Sequence, residues 1–296
     1  MYLRIVALPN FFRLSTSHVY PPFKNGKYME EYIYEYLTKH QERIETNWVY
    51  IPIFWTNLQN HPAFSEMKAR YRTVLQIALQ IYPKNTQFFT CVQHDDGPQL
   101  PLPPQTVIFG ACSGNRILPL IYEDTTDRLL NTPRIPWKDK DLLASFVGTL
   151  STHSVRQLMH DRLNGKKDIV FHSRGVWSVA VKGDDAEQFI AITNRSRFCL
   201  APRGYGRSSF RFFEAMLMDV VPVYVWDDSE WLPYKEELDY SKFSVSISSK
   251  DLPYLYEILS VITEEEYEKM IEEIRRVRSY FTLEGMCQWL EKQLVL

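Results

Sequence analysis

"RFCLAPRGYGRSSFRFFEAMLMDVVPVYVWDD", Arg197 to Asp228, is the stretch whose reading decides the fold. "FCLAP" and "VPVYVW" are short, continuous apolar runs of the kind that fill a strand buried on both faces. Between them, "SSFRFFEAMLM" carries apolar side chains at helical spacing. Strand, helix and strand in succession make one βαβ unit, which implies a parallel sheet. The loop "RGYGRS" then leaves the carboxyl end of a strand, where open α/β sheets bind their ligands. Gly204 and Gly206 let the backbone approach a ligand, while Ser208 and Ser209 stand where a helix start offers N–H groups to an anion. Arg203 and Arg207 add charge-assisted, bidentate donors, so a phosphate or pyrophosphate suits the loop.

Arg207, Arg211 and Glu214 are spaced four and three apart and would share one helix face. A solvated ion-pair face is the plain reading. Against it, Arg211 and Glu214 sit within "FRFFEAMLM", where an idle carboxylate packed on a sheet is costly. Two roles stay open for Glu214: a pair with Arg211, or a contact to a ligand hydroxyl.

The same alternation extends in both directions. "LRIVAL" (3–8), "WVYIPIFW" (48–55), "FFTCVQH" (88–94), "TVIFGAC" (106–112) and "ILPLIYE" (117–123) read as strands. Helical patterns cover 27–40 and 64–81. "NTPRIPWKDKD" (131–141) combines proline and charge without apolar periodicity and reads as a linker. After it come strands at 142–148 and 168–172, helices at 153–163 and 184–194, and then the opening stretch. From 250 onward the chain reads as helical, with Thr263 capping an acid-rich first turn. The expected organisation is a first domain over 1–135, a second over 136–262, and C-terminal helices over 263–296 that pack back on the first.

The whole chain of 296 residues has a formal charge of −2 and a pI near 6.4, which argues against bulk nucleic-acid binding. Cys91, Cys112, Cys199 and Cys287 are far apart and lack metal-ligand spacing, so they read as buried thiols. The apolar run at the start is short for a signal peptide and no run of transmembrane length occurs, so a soluble, cytoplasmic protein is expected.

These residues resemble the exostosin family, glycosyltransferase family 47. "FCLAPRGYGRSSFRFFEAMLMDVVPVYV" is similar to its donor signature, "LLASFVGTLSTHSVRQLM" to its Phe-x-Gly element followed by an arginine, here Arg156, and "FTCVQHDDGPQL" to its His-Asp-x-Gly-Pro element at His94, Asp95, Gly97 and Pro98. The resemblance implies an α/β fold of GT-B type, two Rossmann-like domains facing a central cleft. It further implies a nucleotide-sugar donor held mainly by the second domain, inversion at the anomeric carbon, and no metal or other cofactor. Carried over by position, Arg156 and Arg203 neutralise the diphosphate, Ser208 and Ser209 contact it with Arg211 nearby, and Glu214 holds the ribose hydroxyls. A UDP-sugar such as UDP-xylose, UDP-galactose or a uronic acid donor is the family-level expectation, with an oligosaccharide or glycoconjugate as acceptor. The alternative is a non-catalytic carbohydrate-binding partner of the same fold.

The chemistry supports that reading independently, because charge growing on a leaving diphosphate needs a metal or preorganised cations and N–H groups. The acceptor side needs a base, and His94, Asp95 and Asp96 at a strand end are candidates, with a turn-capping role as the plain reading of either aspartate. His153 and His160 lie on either side of Arg156. His172 and Arg174 follow a strand and would border the nucleobase. Among the aromatics, Trp137, Tyr205, Trp226 and Trp231 are candidates for stacking on a sugar or base.

Overall fold

The computed structural model of the chain describes residues 1–15, 20–180 and 183–295. Two compact units emerge. The first comprises Met1–Ser17, Lys27–Tyr122 and Thr282–Leu296, and the second His18–Gly26 and Glu123–Phe281.

The first unit holds five parallel strands in the order β1-β2-β3-β4-β5: β1 (Arg4–Ile5), β2 (Val49–Tyr50), β3 (Phe88–Val92), β4 (Val107–Gly110) and β5 (Arg116–Ile117). Its helices are α1 (Met29–His40), α2 (Trp55–Gln59) and α3 (Phe64–Gln80). Because strand side chains alternate, β3 feeds two cores. Phe88 and Val92 join Val49, Ile51, Tyr71 and Leu75 in the core under α3. Phe89 turns the other way, to the rings of Tyr50 and Phe109. Each of these fully buried large side chains contributes roughly 1.5–3 kcal/mol. The expected strand over 48–55 is cut short for a local reason: Pro52 has no N–H to donate, and Trp55 already opens α2.

The second unit is likewise parallel, in the order β10-β9-β8-β6-β7: β6 (Leu142–Thr149), β7 (Ile169–Arg174), β8 (Ser196–Pro202), β9 (Val221–Trp226) and β10 (Val245–Ser248). Helices α4 (Ser154–Leu163), α5 (Gly183–Arg195) and α6 (Phe210–Leu217) link these strands, and α7 (Leu255–Ser260) and α8 (Glu264–Val277) follow. Thr263 caps α8 in a reciprocal box with Glu266, as its sequence foretells. The edge strand β10 escapes the apolar-run reading because "VSIS" is half polar. Helix α9 (Leu283–Leu294) belongs to the first unit, where the Thr46 hydroxyl donates to the Leu294 carbonyl at 2.6 Å and Trp289 meets the Phe109 ring.

The units divide at 122/123 and 281/282, whereas the sequence reading placed its boundaries at 135/136 and 262/263. Side-chain ties explain the shift. The Asn25 amide donates to Asp124 (3.1 Å) and accepts from the Thr125 N–H (2.6 Å), while Phe23 packs on Phe189. Tyr267 of α8 meets the Phe198 ring of β8 at 5.8 Å and the Trp137 ring at 4.9 Å. The four cysteines are buried free thiols. Among the described residues, no helix is long and apolar enough to cross a membrane.

Candidate functional site

In the second unit, β6 leads to β7 on one side while β8 leads to β9 and β10 on the other. The strand order therefore reverses between β6 and β8, and the carboxyl ends of these two strands frame the crevice in which such sheets bind ligands. Both basic elements singled out in the sequence meet there. Arg156, on the first turn of α4, sends its Nε to the Arg203 carbonyl (3.0 Å) and its two terminal nitrogens to the carbonyls of Thr149 (3.0 Å) and Pro202 (3.4 Å). One guanidinium thus ties the ends of β6 and β8 together. Gly204 lets this guanidinium come close: a Cβ there would stand 3.1 Å from an Arg156 nitrogen, tighter than an ordinary contact.

Two carboxylates from the end of β9 answer the arginines. Arg203, 9% exposed, places one nitrogen 2.8 Å from Asp227 and 2.9 Å from Asp228. Arg207 pairs with Asp228 at 2.9 Å and lies over the Trp231 ring. The Asp228 carboxyl is held below its ordinary range: burial alone would raise it, but the Ser229 N–H, Arg207 and Arg203 outweigh that effect. His153 caps α4 through Nδ1, which accepts from the Val155 N–H at 3.2 Å, and its Nε2 is 3.8 Å from Asp227. Burial, reinforced by Arg203 and Arg156 against Asp227 and Asp228, lowers its pKa, so His153 is a neutral cap. Three arginines of the opening stretch, Arg203, Arg207 and Arg211, are thus paired with acids of the same stretch on folding.

Arg197 lies away from this cluster, near the amino end of β8 and stacked 3.9 Å over Trp137, while Arg203 follows the carboxyl end, roughly 20 Å away at 3.3 Å per strand residue. One expectation is corrected here: Arg207 shares no helix face with Arg211 and Glu214, because α6 begins at Phe210 and Arg207 lies in the loop. Of the two roles open to Glu214, pairing is observed: it is 2% exposed and bonded to Arg211, which also donates to the Val147 carbonyl (3.0 Å) and lies over Phe189. Ser208 and Ser209 are buried at the start of α6, and the Ser209 side chain makes no capping hydrogen bond. His172 lies within edge strand β7, opposite Val147, and Arg174 ends that strand and pairs with Asp185 (3.1 Å). His160 packs on Phe171 and contacts Asp161.

In the first unit, His94, Asp95 and Asp96 form the turn directly after β3, the middle strand of its sheet. Gly97 closes the turn with φ +71°, and its N–H donates to the His94 carbonyl at 3.0 Å. The aspartates are exposed. His94 Nδ1 accepts from the Asp96 N–H (3.2 Å), which places the ring proton on Nε2, and burial lowers its pKa against the pull of Asp95 and Asp96. Its basic lone pair is thereby engaged.

Sequence reading missed the group that holds this turn. Glu30, on the first turn of α1 and 1% exposed, accepts the Gln93 N–H (2.6 Å) and both the N–H and hydroxyl of Thr56 (3.0 Å each). Burial raises its carboxyl to about 7 despite those bonds. The only signal available was an acid at an otherwise buried position of an amphipathic helix. Among the described residues, no three His, Cys, Asp or Glu side chains gather as metal ligands.

Comparison with known proteins bears on this geometry. The Exostosin GT47 domain matches residues 113–262, half of the chain. A probable glycosyltransferase of Arabidopsis thaliana is 35% identical over 96 residues, covering 32% of this chain and 20% of its own. An exostosin-1 homolog of Caenorhabditis elegans is 30% identical over 174 residues, covering 53% and 44% respectively. A probable beta-1,4-xylosyltransferase of Arabidopsis thaliana is 37% identical over 71 residues, covering 24% and 17%. The matches thus span less than half the length of these relatives.

Proposed function

This chain belongs to the exostosin GT47 family, and on that premise we propose that it is an inverting, metal-independent glycosyltransferase using a nucleotide diphosphate sugar. The observation that carries the proposal is the meeting of Arg156, the Arg203–Ser209 loop and the start of α6 at the strand-order reversal between β6 and β8. Fixed cations and helix N–H groups at that point suit a diphosphate whose negative charge grows as the glycosidic bond breaks. In the reaction, the acceptor oxygen bonds to the anomeric carbon, the bond from that carbon to the diphosphate oxygen breaks, and the acceptor proton passes to a base. Asp95 or Asp96 is that base in our reading, because both are exposed whereas the lone pair of His94 is engaged. The donor class is a UDP-sugar, and the acceptor a glycan hydroxyl.

A panel of UDP- and GDP-sugars, scored for nucleotide release with and without oligosaccharide acceptors and with EDTA, tests this. Release from a UDP-sugar is expected, undiminished by EDTA. Asp95→Asn or Asp96→Asn should keep UDP affinity and lose transfer by a factor on the order of 10² to 10⁴. Thermal stabilisation by UDP without any release would favour the non-catalytic partner instead.

A further inference from the structure

The carboxyl rim of the second unit carries an aromatic cluster beside the loop that follows β8. Trp177 follows β7, and its indole N–H donates to the Tyr20 hydroxyl at 3.3 Å, the two rings meeting edge to face with centroids 5.6 Å apart. Tyr20 in turn meets Phe210 edge to face at 6.2 Å, and Phe210 opens α6 beside Ser209. The same loop is tied to the turn after β6, where the Ser151 hydroxyl donates to the Gly175 carbonyl at 3.5 Å. The three rings therefore run along the rim from the end of β7 to the anion loop.

Trp177 is 49% exposed although its one polar atom is bonded, so what it shows to solvent is ring surface. Val176 and Val179 beside it are exposed as well. A flat apolar surface joined to a phosphate-binding loop matches a molecule that is a flat heterocycle at one end and a diphosphate at the other. Of the other aromatic candidates, Tyr205 is 65% exposed within the anion loop itself, and the three tryptophans are committed elsewhere. Trp137 lies under Arg197 near the amino end of β8, Trp231 is buried under Arg207, and the Trp226 N–H donates to Ser246 of β10. Phe171 turns toward His160 of α4, so His172, its neighbour on the strand, points to the opposite face, where Arg174 meets Asp185 of α5.

We propose that Trp177, held in place by Tyr20, is the platform on which the base of the donor nucleoside diphosphate stacks, while the diphosphate meets the loop after β8. The inference rests on the donor-site reading above. Pyrophosphate, which has the charge without the base, separates the two. In calorimetric titrations of the full chain, Trp177→Ala should weaken UDP or GDP roughly tenfold, the size of one base–aromatic stack, and leave pyrophosphate affinity unchanged. Trp177→Phe should retain affinity within about threefold, since a smaller ring still stacks, while removing the nucleotide-induced quenching of indole fluorescence. Nucleotide affinity equal to wild type in Trp177→Ala overturns the platform and leaves the anion site standing. An equal loss for nucleotide and pyrophosphate also overturns it, because the loop would then act on the phosphates. A wild-type protein that binds neither UDP, GDP nor pyrophosphate overturns the donor site itself, and the platform with it.

Discussion

At the end of β3 the first unit buries a single carboxylate, Glu30, under backbone N–H donors, whereas at the end of β8 the second unit sets arginines against carboxylates close to solvent. Both places are the carboxyl end of the middle strand of a five-stranded parallel sheet. Sheet topology thus fixes where chemistry is gathered, and the residues after each strand fix which chemistry. Charge in the two places answers to opposite forces. Desolvation governs Glu30, while paired charges and the Ser229 N–H govern Asp228.

The largest expected effect tests the buried part of the second site. Glu214→Ala leaves the Arg211 guanidinium beside Phe189 without its carboxylate, which should cost roughly 3–5 kcal/mol. It would be read as a lower urea midpoint at unchanged slope. A loss below about 1 kcal/mol would place Glu214 among the solvated ion pairs, against its burial.

Glu30 comes next. With a folded value of about 7 and an ordinary value of 4.5, the folded protein keeps a proton that the unfolded chain has released across that window. Stability should therefore fall as pH rises from about 4.5 to about 7, by roughly 3 kcal/mol at 1.36 kcal/mol per unit, and level off above. Glu30→Gln cannot titrate, so its stability should vary less over the same range. Parallel denaturation curves for the two proteins at each pH would remove the contrast between the sites.

Asp228→Asn probes the exposed network. With one competing carboxylate gone from Arg203 and Arg207, pyrophosphate should bind about threefold more tightly, and stability should change by less than about 1 kcal/mol. Weaker binding would mean that Asp228 positions the arginines rather than competing for them. Smallest of all, Asp95→Asn, at an exposed turn, should leave the unfolding free energy from urea titration within about 0.5 kcal/mol of wild type. A larger loss would show that the turn depends on its acids as well as on Glu30.

Strand and helix identity was legible because it rests on spacing between near neighbours. "FCLAP", "VPVYVW" and the helix between them stand as strands and helix, and the loop after β8 and the turn carrying His94 to Asp96 stand as loop and turn. Where local reading erred, the cause was also local: Pro52 ended one apolar run early, and the polar half of "VSIS" concealed an edge strand. The site partners were another matter. That Arg203 meets Asp227 and Asp228 depends on β8 lying beside β9, and nothing in the spacing of those residues requires it.

By itself, the sequence determined two sets of βα repeats, the glycine- and arginine-bearing loop between β8 and α6 and the family signature around it, because hydrophobic periodicity, glycine and helix-start chemistry act over a few residues. Only the tertiary structure decided how the charges are spent. Glu30 reaches Gln93 across 63 positions, and Trp177 reaches Tyr20 across 157. Such pairs form because strand order and helix packing bring distant chain segments together, and desolvation then acts on whichever groups are left inside.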